Sequence, residues 1–203
     1  MIRSLLLVHG AGSGPSVFDG WNESFPGVRL AAVDLHGGLD VAKASMLDYR
    51  RNLVAATPEL PRPLALCGWS MGGLVVLIGA SEIDPARIVL LEASPPAEVQ
   101  GDDERIVPRR GVFDPEEAYG TFPEGMTKRP ESQFARDERK RGLSVSSLPC
   151  PALVVSGHGF PGDRGEGLAQ LYGADHLHFE ELDHWALVLN AQVRNAVGAW
   201  LRA

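Results

Sequence analysis

Short, unbroken apolar runs alternate along the chain with longer stretches in which apolar residues recur at helical spacing. Leu5 to Val8, Leu30 to Val33, Leu64 to Leu66, Ile88 to Leu91 and Ala152 to Val155 carry no polar alternation. Strands covered on both faces, as in a parallel sheet, read this way. Between them, residues 40–57 place Val41, Met46, Leu47, Leu53 and Val54 on a polar background, and residues 71–82 are apolar nearly all round. The first predicts a surface helix and the second a helix buried within the fold. Val193, Val197, Trp200 and Leu201 form the i, i+4, i+7, i+8 stripe of a C-terminal helix. His176 to Leu182 alternates, which predicts a last, partly exposed edge strand. Strand-helix alternation of this kind predicts an α/β fold with a mostly parallel sheet and right-handed crossovers.

One stretch departs from the pattern. Residues 98–141 hold 20 of the 45 charged side chains, and Pro108, Pro115, Pro123 and Pro130 are spaced through them. No strand-like run appears there. A segment this long without a core pattern is uncommon unless functional, so it is expected to be a helical lid. Phe113, Tyr119, Phe122, Met126 and Phe134 are expected to face a pocket; the alternative is a solvated helical excursion.

Length and charge narrow the function. The 203 residues suit one domain, and the formal charge of −7 with a pI near 5.3 disfavours nucleic-acid backbones and anionic membranes as partners. Cys67 and Cys150 are too few for a disulfide framework or a zinc cluster. No apolar run approaches the ~18 residues of a membrane span. Ser4 to Val8 is short for a signal-peptide core, so a cytoplasmic protein with reduced thiols is expected, as a monomer or small homo-oligomer.

The sharpest local signal is Gly68-Trp69-Ser70-Met71-Gly72, a G-x-S-x-G match with an apolar strand before it and an apolar helix after it. That is the setting of a nucleophile elbow, in which a strained strand-to-helix turn lifts the serine hydroxyl into the open. The small residues let neighbouring backbone come close, and the helix N-terminus supplies a positive dipole to a developing oxyanion. His9-Gly10-Ala11-Gly12 ends the first strand. Its turn can bring the N–H of Ala11 or Gly12 opposite that of Met71, each donor worth roughly 100- to 1,000-fold in rate. His9 itself reads as a brace for the turn. Gly10 to Gly14 lacks the rest of a dinucleotide fingerprint and the Lys-Ser/Thr of a P-loop.

A serine needs a base. Of six histidines, His184 follows the last expected strand and precedes the terminal helix, so its loop can swing over the carboxyl edge of the sheet. Trp69 and Trp185, beside Ser70 and His184, are candidates to wall the substrate pocket or to pack the core.

These residues carry a resemblance. The His-Gly turn, the elbow and the late histidine appear in the order of the α/β-hydrolase superfamily, and the chain resembles an esterase- or lipase-like serine hydrolase of that family over essentially its whole length. The resemblance implies Ser70 as nucleophile, His184 as base and an acid between them in sequence. It also implies a single domain over residues 1–203, compact and without the first two family strands. About six strands then remain, with a cap at about 95–148 between the sixth and seventh family strands. Where most of the family has its acid, about three residues beyond Gly157, this chain has Phe160. Asp163, three residues later, is one candidate, with a helix N-cap as its other reading. Glu92, after the strand next to the elbow strand, is taken first, because some members carry their acid there and a buried carboxylate needs a partner such as an imidazolium. Asp183 is a third. The expected activity is cleavage of carboxylic esters of small or medium acyl groups through an acyl-enzyme, with a small-molecule ester as the partner and no cofactor or metal. Thioesterase, lactonase or amidase chemistry by the same route, and a non-catalytic ligand-binding protein on the same fold, stand as alternatives.

Overall fold

The computed structural model describes residues 1–158 and 163–203, with Asp163 described through its backbone alone. The chain opens with β1 (Ser4–Val8), two short 3-10 turns (Pro15–Phe18 and Trp21–Ser24), β2 (Arg29–Val33), α1 (Met46–Ala55), β3 (Leu64–Trp69), α2 (Met71–Ile83) and β4 (Arg87–Leu91). A charged excursion follows, with α3 (Ala97–Gln100), β5 (Val112–Phe113), α4 (Pro115–Tyr119), β6 (Glu131–Ser132) and α5 (Gln133–Arg141). The chain returns as β7 (Ala152–Gly157), α6 (Asp163–Tyr172), β8 (Asp175–Phe179), α7 (His184–Leu189) and α8 (Ala191–Arg202).

The main sheet has six strands in the order β2-β1-β3-β4-β7-β8, all parallel. The unalternated runs are explained by its two covers. Successive side chains of a strand point to opposite faces. Leu6, Val8, Leu66, Leu90 and Val154 pack on one face with α1 and α2. Leu5, Leu7, Cys67, Val89 and Val155 pack on the other with Trp21, Phe25 and the Val193, Val197, Leu201 stripe of α8. Strand order reverses between β1 and β3, which makes the carboxyl ends of those two strands the topological switch point where ligands bind in open α/β sheets.

Several details differ from the sequence expectation: β2 is an edge strand exposed or half-buried up to Val33 rather than covered on both faces, and β8 spans Asp175–Phe179 rather than His176 to Leu182 and is exposed from Asp175 to His178. The helix expected over 40–57 begins at Met46, because Ser45 and Asp48 form a reciprocal capping box, with Asp48 N–H donating to Ser45 Oγ at 3.1 Å and Ser45 N–H to Asp48 Oδ2 at 2.9 Å. The excursion, expected to hold no strand, contains the antiparallel β5-β6 ribbon, with Val112 opposite Ser132 and Phe113 opposite Glu131. Two residues per strand are too few for a periodicity to show.

That ribbon fastens the excursion to the core. Glu131 is 1 % exposed. Its carboxylate accepts the N–H groups of Gly12 and Ser132, each at 2.9 Å, the His36 Nε2–H at 3.1–3.2 Å, and the Tyr49 hydroxyl. Arg129 N–H donates to the Gly12 carbonyl at 2.8 Å, and Ser132 Oγ donates to Ala44 O at 2.6 Å. Burial works to raise the Glu131 pKa, but the hydrogen bonds from His36, Tyr49 and Gly12 outweigh it and hold the group at about 2. Burial and the Glu131 charge push the Tyr49 phenol upward, so it remains a donor.

Two expectations follow. A Cβ at Gly72 would sit 2.2 Å from the Val8 carbonyl oxygen and 2.4 Å from that of His9. Both are backbone atoms, so Gly72→Ala should force α2 off β1 and cost about 1–3 kcal/mol, read as a drop of several degrees in Tm. Gly79→Ala, whose Cβ would meet only side-chain atoms at 3.3 Å or more, should melt close to wild type. The second concerns acid. A folded pKa of about 2 against an ordinary 4.5 means that the unfolded chain binds the extra proton between those values. The stabilisation from Glu131 is therefore full above pH 4.5 and is lost as pH falls toward 2. Urea midpoints of wild type and Glu131→Gln, measured in a pH series, should converge over that window.

Candidate active site

The elbow is built as the motif requires. Ser70 closes β3, stands at φ 56° and ψ −124°, and is followed at once by α2. A non-glycine residue at such a φ is strained by about 1–3 kcal/mol and persists only where its surroundings over-determine it. Ser70 N–H donates to Leu91 O at 3.0 Å, while Ser70 O accepts Gly73 N–H at 3.0 Å and Ser94 N–H at 2.8 Å. Gly68 allows the tight turn: a Cβ there would lie 2.6 Å from both Gly72 O and Gly73 Cα. The His-Gly turn stands directly against the elbow, since a Cβ on Gly10 would meet Ser70 Cβ at 2.9 Å.

That turn is held on its inner side. His9 is fully buried; its Nδ1–H donates to Gly10 O at 2.9 Å and its Nε2 accepts Leu35 N–H at 3.1 Å. Ser13 Oγ donates to the same Gly10 oxygen at 2.9 Å. His9 thus braces the turn, as its sequence context suggested. The Gly12 N–H is bonded to Glu131.

His184 begins α7, in the loop that crosses the end of β7. His158 N–H donates to Leu182 O at 2.6 Å, which lays this loop over Gly157. His184 Nδ1 lies 2.8 Å from Glu92 Oε2. The other Glu92 oxygen accepts Gly157 N–H at 3.0 Å. The Glu92 side chain is 4 % exposed and that of His184 is 26 % exposed, so a buried carboxylate supports an imidazole that reaches the surface of a cavity. Glu92 is itself at a positive φ of 40°. Beneath the imidazole lies the Trp69 ring, 4.9 Å away between centroids, with its Nε1–H donating to His184 O at 3.1 Å. Trp69 also touches Trp185, which meets Phe122 of the excursion at 4.7 Å.

Ser70, His184, Ala11, Trp69 and Trp185 line one cavity of about 450 Å³. Of the aromatic residues expected to face it, Tyr119 and Phe122 do. Phe113 packs behind Tyr119, Met126 joins the Trp21 cluster, and Phe134 lines a separate depression with Glu104 and Pro108. Apolar side chains of so short a ribbon and helix divide between the sheet, one another and the cavity, and spacing does not tell these apart. Gln100, Arg139 and Lys140 also line the cavity. They were not singled out, because in sequence they belong to a solvated charged run. Arg139 is turned inward by donating to the Tyr119 hydroxyl at 2.6 Å.

Of the two candidate acids whose side chains are described, the structure brings Glu92 to His184. Asp183 caps α7, accepting Ala186 N–H at 2.7 Å. The Asp163 side chain lies outside the described residues. Cys67 is a buried sheet residue whose thiol burial pushes strongly upward. Among the described residues no group of three or more His, Cys, Asp or Glu is arranged to hold a metal ion, and no helix is long and apolar enough to cross a membrane.

The chain is similar to two proteins named pimeloyl-[acyl-carrier protein] methyl ester esterase. With that of Aromatoleum aromaticum it is 38% identical over 96 residues, which is 45% of this chain and 37% of the relative. With that of Neisseria meningitidis serogroup A it is 34% identical over 95 residues, 46% of this chain and 30% of the relative. The matches thus span about a third of the length of these curated relatives. Among solved structures, polyneuridine aldehyde esterase superposes with a TM-score of 0.68 at 16% identity, covering 100% of both chains. A lipase-esterase related protein from Clostridium acetobutylicum gives 0.67 at 16% identity, covering 98% of this chain and 93% of that one. At such identities the likeness is one of fold. The model of the alpha/beta hydrolase family matches residues 5–197, a span that takes in the sheet, the elbow and the His184 loop, and the chain belongs to that family.

Proposed function

We propose that the chain is a serine hydrolase of carboxylic esters with small or medium acyl groups, acting through an acyl-enzyme. The observation that carries this reading is the Glu92–His184 hydrogen bond of 2.8 Å, behind an imidazole that lines one cavity with the strained Ser70. Ser70 Oγ attacks the ester carbonyl and His184 takes the hydroxyl proton. Glu92 accepts the Nδ1–H of the imidazole, which fixes the tautomer and stabilises the imidazolium as it forms. The tetrahedral oxyanion is held by the N–H groups of Met71, at the start of α2, and of Ala11. The choice of Ala11 over Gly12 has a physical basis. Glu131 occupies the Gly12 N–H. The Gly10 carbonyl is drawn inward by His9 and Ser13, and across a trans peptide the N–H of Ala11 points the opposite way. His184 then protonates the leaving alcohol, and water, deprotonated by the same imidazole, releases the acid and restores Ser70.

The route needs no cofactor. Trp69, Trp185 and Phe122 give the cavity apolar walls suited to an acyl chain. The names of the relatives favour a short alkyl ester of a medium chain as the first substrate to test.

Turnover of p-nitrophenyl butyrate and of a methyl ester should fall on the order of a million-fold in Ser70→Ala; a rate that persists in this variant would sink the assignment. Glu92→Gln should retain the fold and lose about 10⁴-fold in kcat, because an amide facing Nδ1 favours the wrong tautomer. Asp163→Asn should stay within a few-fold of wild type. The opposite ranking would move the acid to Asp163.

A further inference from the structure

The buried carboxylate that fastens the excursion to the core is also bonded to the turn that would bear one oxyanion donor. Its four donors come from four places: Gly12 in the turn after β1, His36 in the turn after β2, Tyr49 in α1, and Ser132 beside it in the β6 ribbon. A carboxylate has about four lone-pair sites and only accepts, so Glu131 is fully used and its side chain is 1 % exposed. The segment around it fits the same turn closely. Arg129 N–H meets Gly12 O at 2.8 Å, and a Cβ on Gly12 would strike Pro115 Cγ at 2.2 Å.

The Gly10–Gly12 turn is thus gripped from both sides. On the inner side His9 and Ser13 hold the Gly10 carbonyl. On the outer side Glu131 holds the Gly12 N–H. The two grips bracket the Ala11 residue, whose N–H sits in the peptide between Gly10 and Ala11. The inner grip sets the direction of Ala11 N–H through the trans Gly10–Ala11 peptide; the outer grip keeps the next peptide from turning and carrying the Ala11 residue with it, so the donor is fixed in position as well as in direction. Preorganised donors act only if they stand where the oxyanion forms, and a displacement of an ångström can cost about 100-fold.

We infer that Glu131, a residue of the inserted excursion, is a positioning residue of the oxyanion hole: through the Gly12 N–H it anchors the far side of the Gly10–Gly12 turn and so holds the Ala11 N–H in place, so that the insertion and this turn are assembled by one carboxylate. This rests on the ester-hydrolase reading above. Glu131 touches neither substrate nor reacting atoms. It acts on the tetrahedral species and not on ground-state binding, so its loss appears in kcat and leaves KM nearly alone.

Glu131→Gln is the informative change. The amide keeps the shape but offers one acceptor oxygen and one donor nitrogen to a ring of four donors, so at least one N–H or O–H group is turned away. Steady-state kinetics on p-nitrophenyl butyrate, well below the melting temperature, should show kcat about tenfold or more lower with KM within about twofold. Affinity for a butylboronic acid, whose tetrahedral serine adduct presents an oxygen to the same donors, should fall in parallel. Val197→Ala, a core truncation in α8 remote from the turn, controls for lost stability and should leave both values unchanged. Tyr49→Phe, which removes one donor that aims the carboxylate, is the milder variant and should lower kcat and boronate affinity in the same direction by about two- to fivefold.

A folded Glu131→Gln protein with wild-type kcat and boronate affinity, or one altered in KM alone, would overturn the inference. If Glu131→Gln does not fold, unchanged boronate affinity in Tyr49→Phe overturns it instead. Ser70→Ala in the same assay separates the two readings. Activity that survives it defeats the ester-hydrolase reading itself, whereas activity that is lost in it but unmoved by Glu131→Gln defeats the positioning role alone.

Discussion

The turn at Ser70 is the constraint on which the rest of the arrangement depends. A strand that passes into a helix within one residue leaves no room for a Cβ two residues to either side of the serine, at Gly68 and Gly72, and the backbone must enter a φ that L residues avoid. The cost is met by packing. Helix α2 lies so close to β1 that Gly72 has the Val8 and His9 carbonyls against it. The His-Gly turn presses on Ser70 at Gly10, and the Ser70 backbone is tied to Leu91, Gly73 and Ser94. The same closeness sets both the N-terminus of α2 and the turn after β1 directly against the serine, the setting that the proposed pair of oxyanion donors needs. The switch in strand order between β1 and β3 leaves the crevice above open.

Two buried glutamates organise what surrounds the turn, and they do so differently. Glu92 stands after β4, beside the elbow strand, with one oxygen tied to the end of β7 through Gly157 and the other aimed at His184. One backbone bond fixes the carboxylate, which leaves it one strong partner, the imidazole. Glu131 has every lone pair engaged by neighbours and is 1 % exposed. A buried charge is tolerated only where hydrogen bonds replace water. Glu92 meets that condition with the Gly157 N–H and the His184 imidazole, and Glu131 meets it with a closed ring of donors. The first suits a group that supports proton transfer, the second a group that holds segments together.

Much of the sheet was legible because a strand buried on both faces must be apolar throughout, and four unbroken runs correspond to the buried strands β1, β3, β4 and β7; the fifth corresponds to β2, an edge strand exposed or half-buried up to Val33. The edge strand β8 was expected near its place, but it ends at Phe179 and is exposed from Asp175 to His178, so the sequence alternation marks no buried face. The elbow was legible because its chemistry is local: small residues at Gly68 and Gly72, a strand before and an apolar helix after. The choice between Glu92 and Asp163 was not legible. It depends on which carboxylate lies under a loop some 90 residues away, and sequence spacing carries no such distance. The capping box that starts α1 at Met46 lay in plain view as Ser45 and Asp48, but hydrophobic periodicity alone extended the helix past it.

The inserted segment marks the boundary most clearly. By composition it is a charged run, and composition assigns such residues to solvent. In the structure Glu131 is among the most buried side chains, Arg139 is turned inward against Tyr119, and Phe134, one of its aromatic residues, faces away from the cavity it was expected to line. The sequence by itself determined the layered α/β fold, the elbow and the place of the late histidine, because each follows from periodicity or from contacts within a few residues. Only the tertiary structure brought Glu92 to His184, tied the Gly12 N–H to Glu131 and buried Glu131 and Arg139 of the insertion. Those outcomes depend on hydrogen bonds between groups that are distant along the chain, and their free energy depends on burial that no local pattern records.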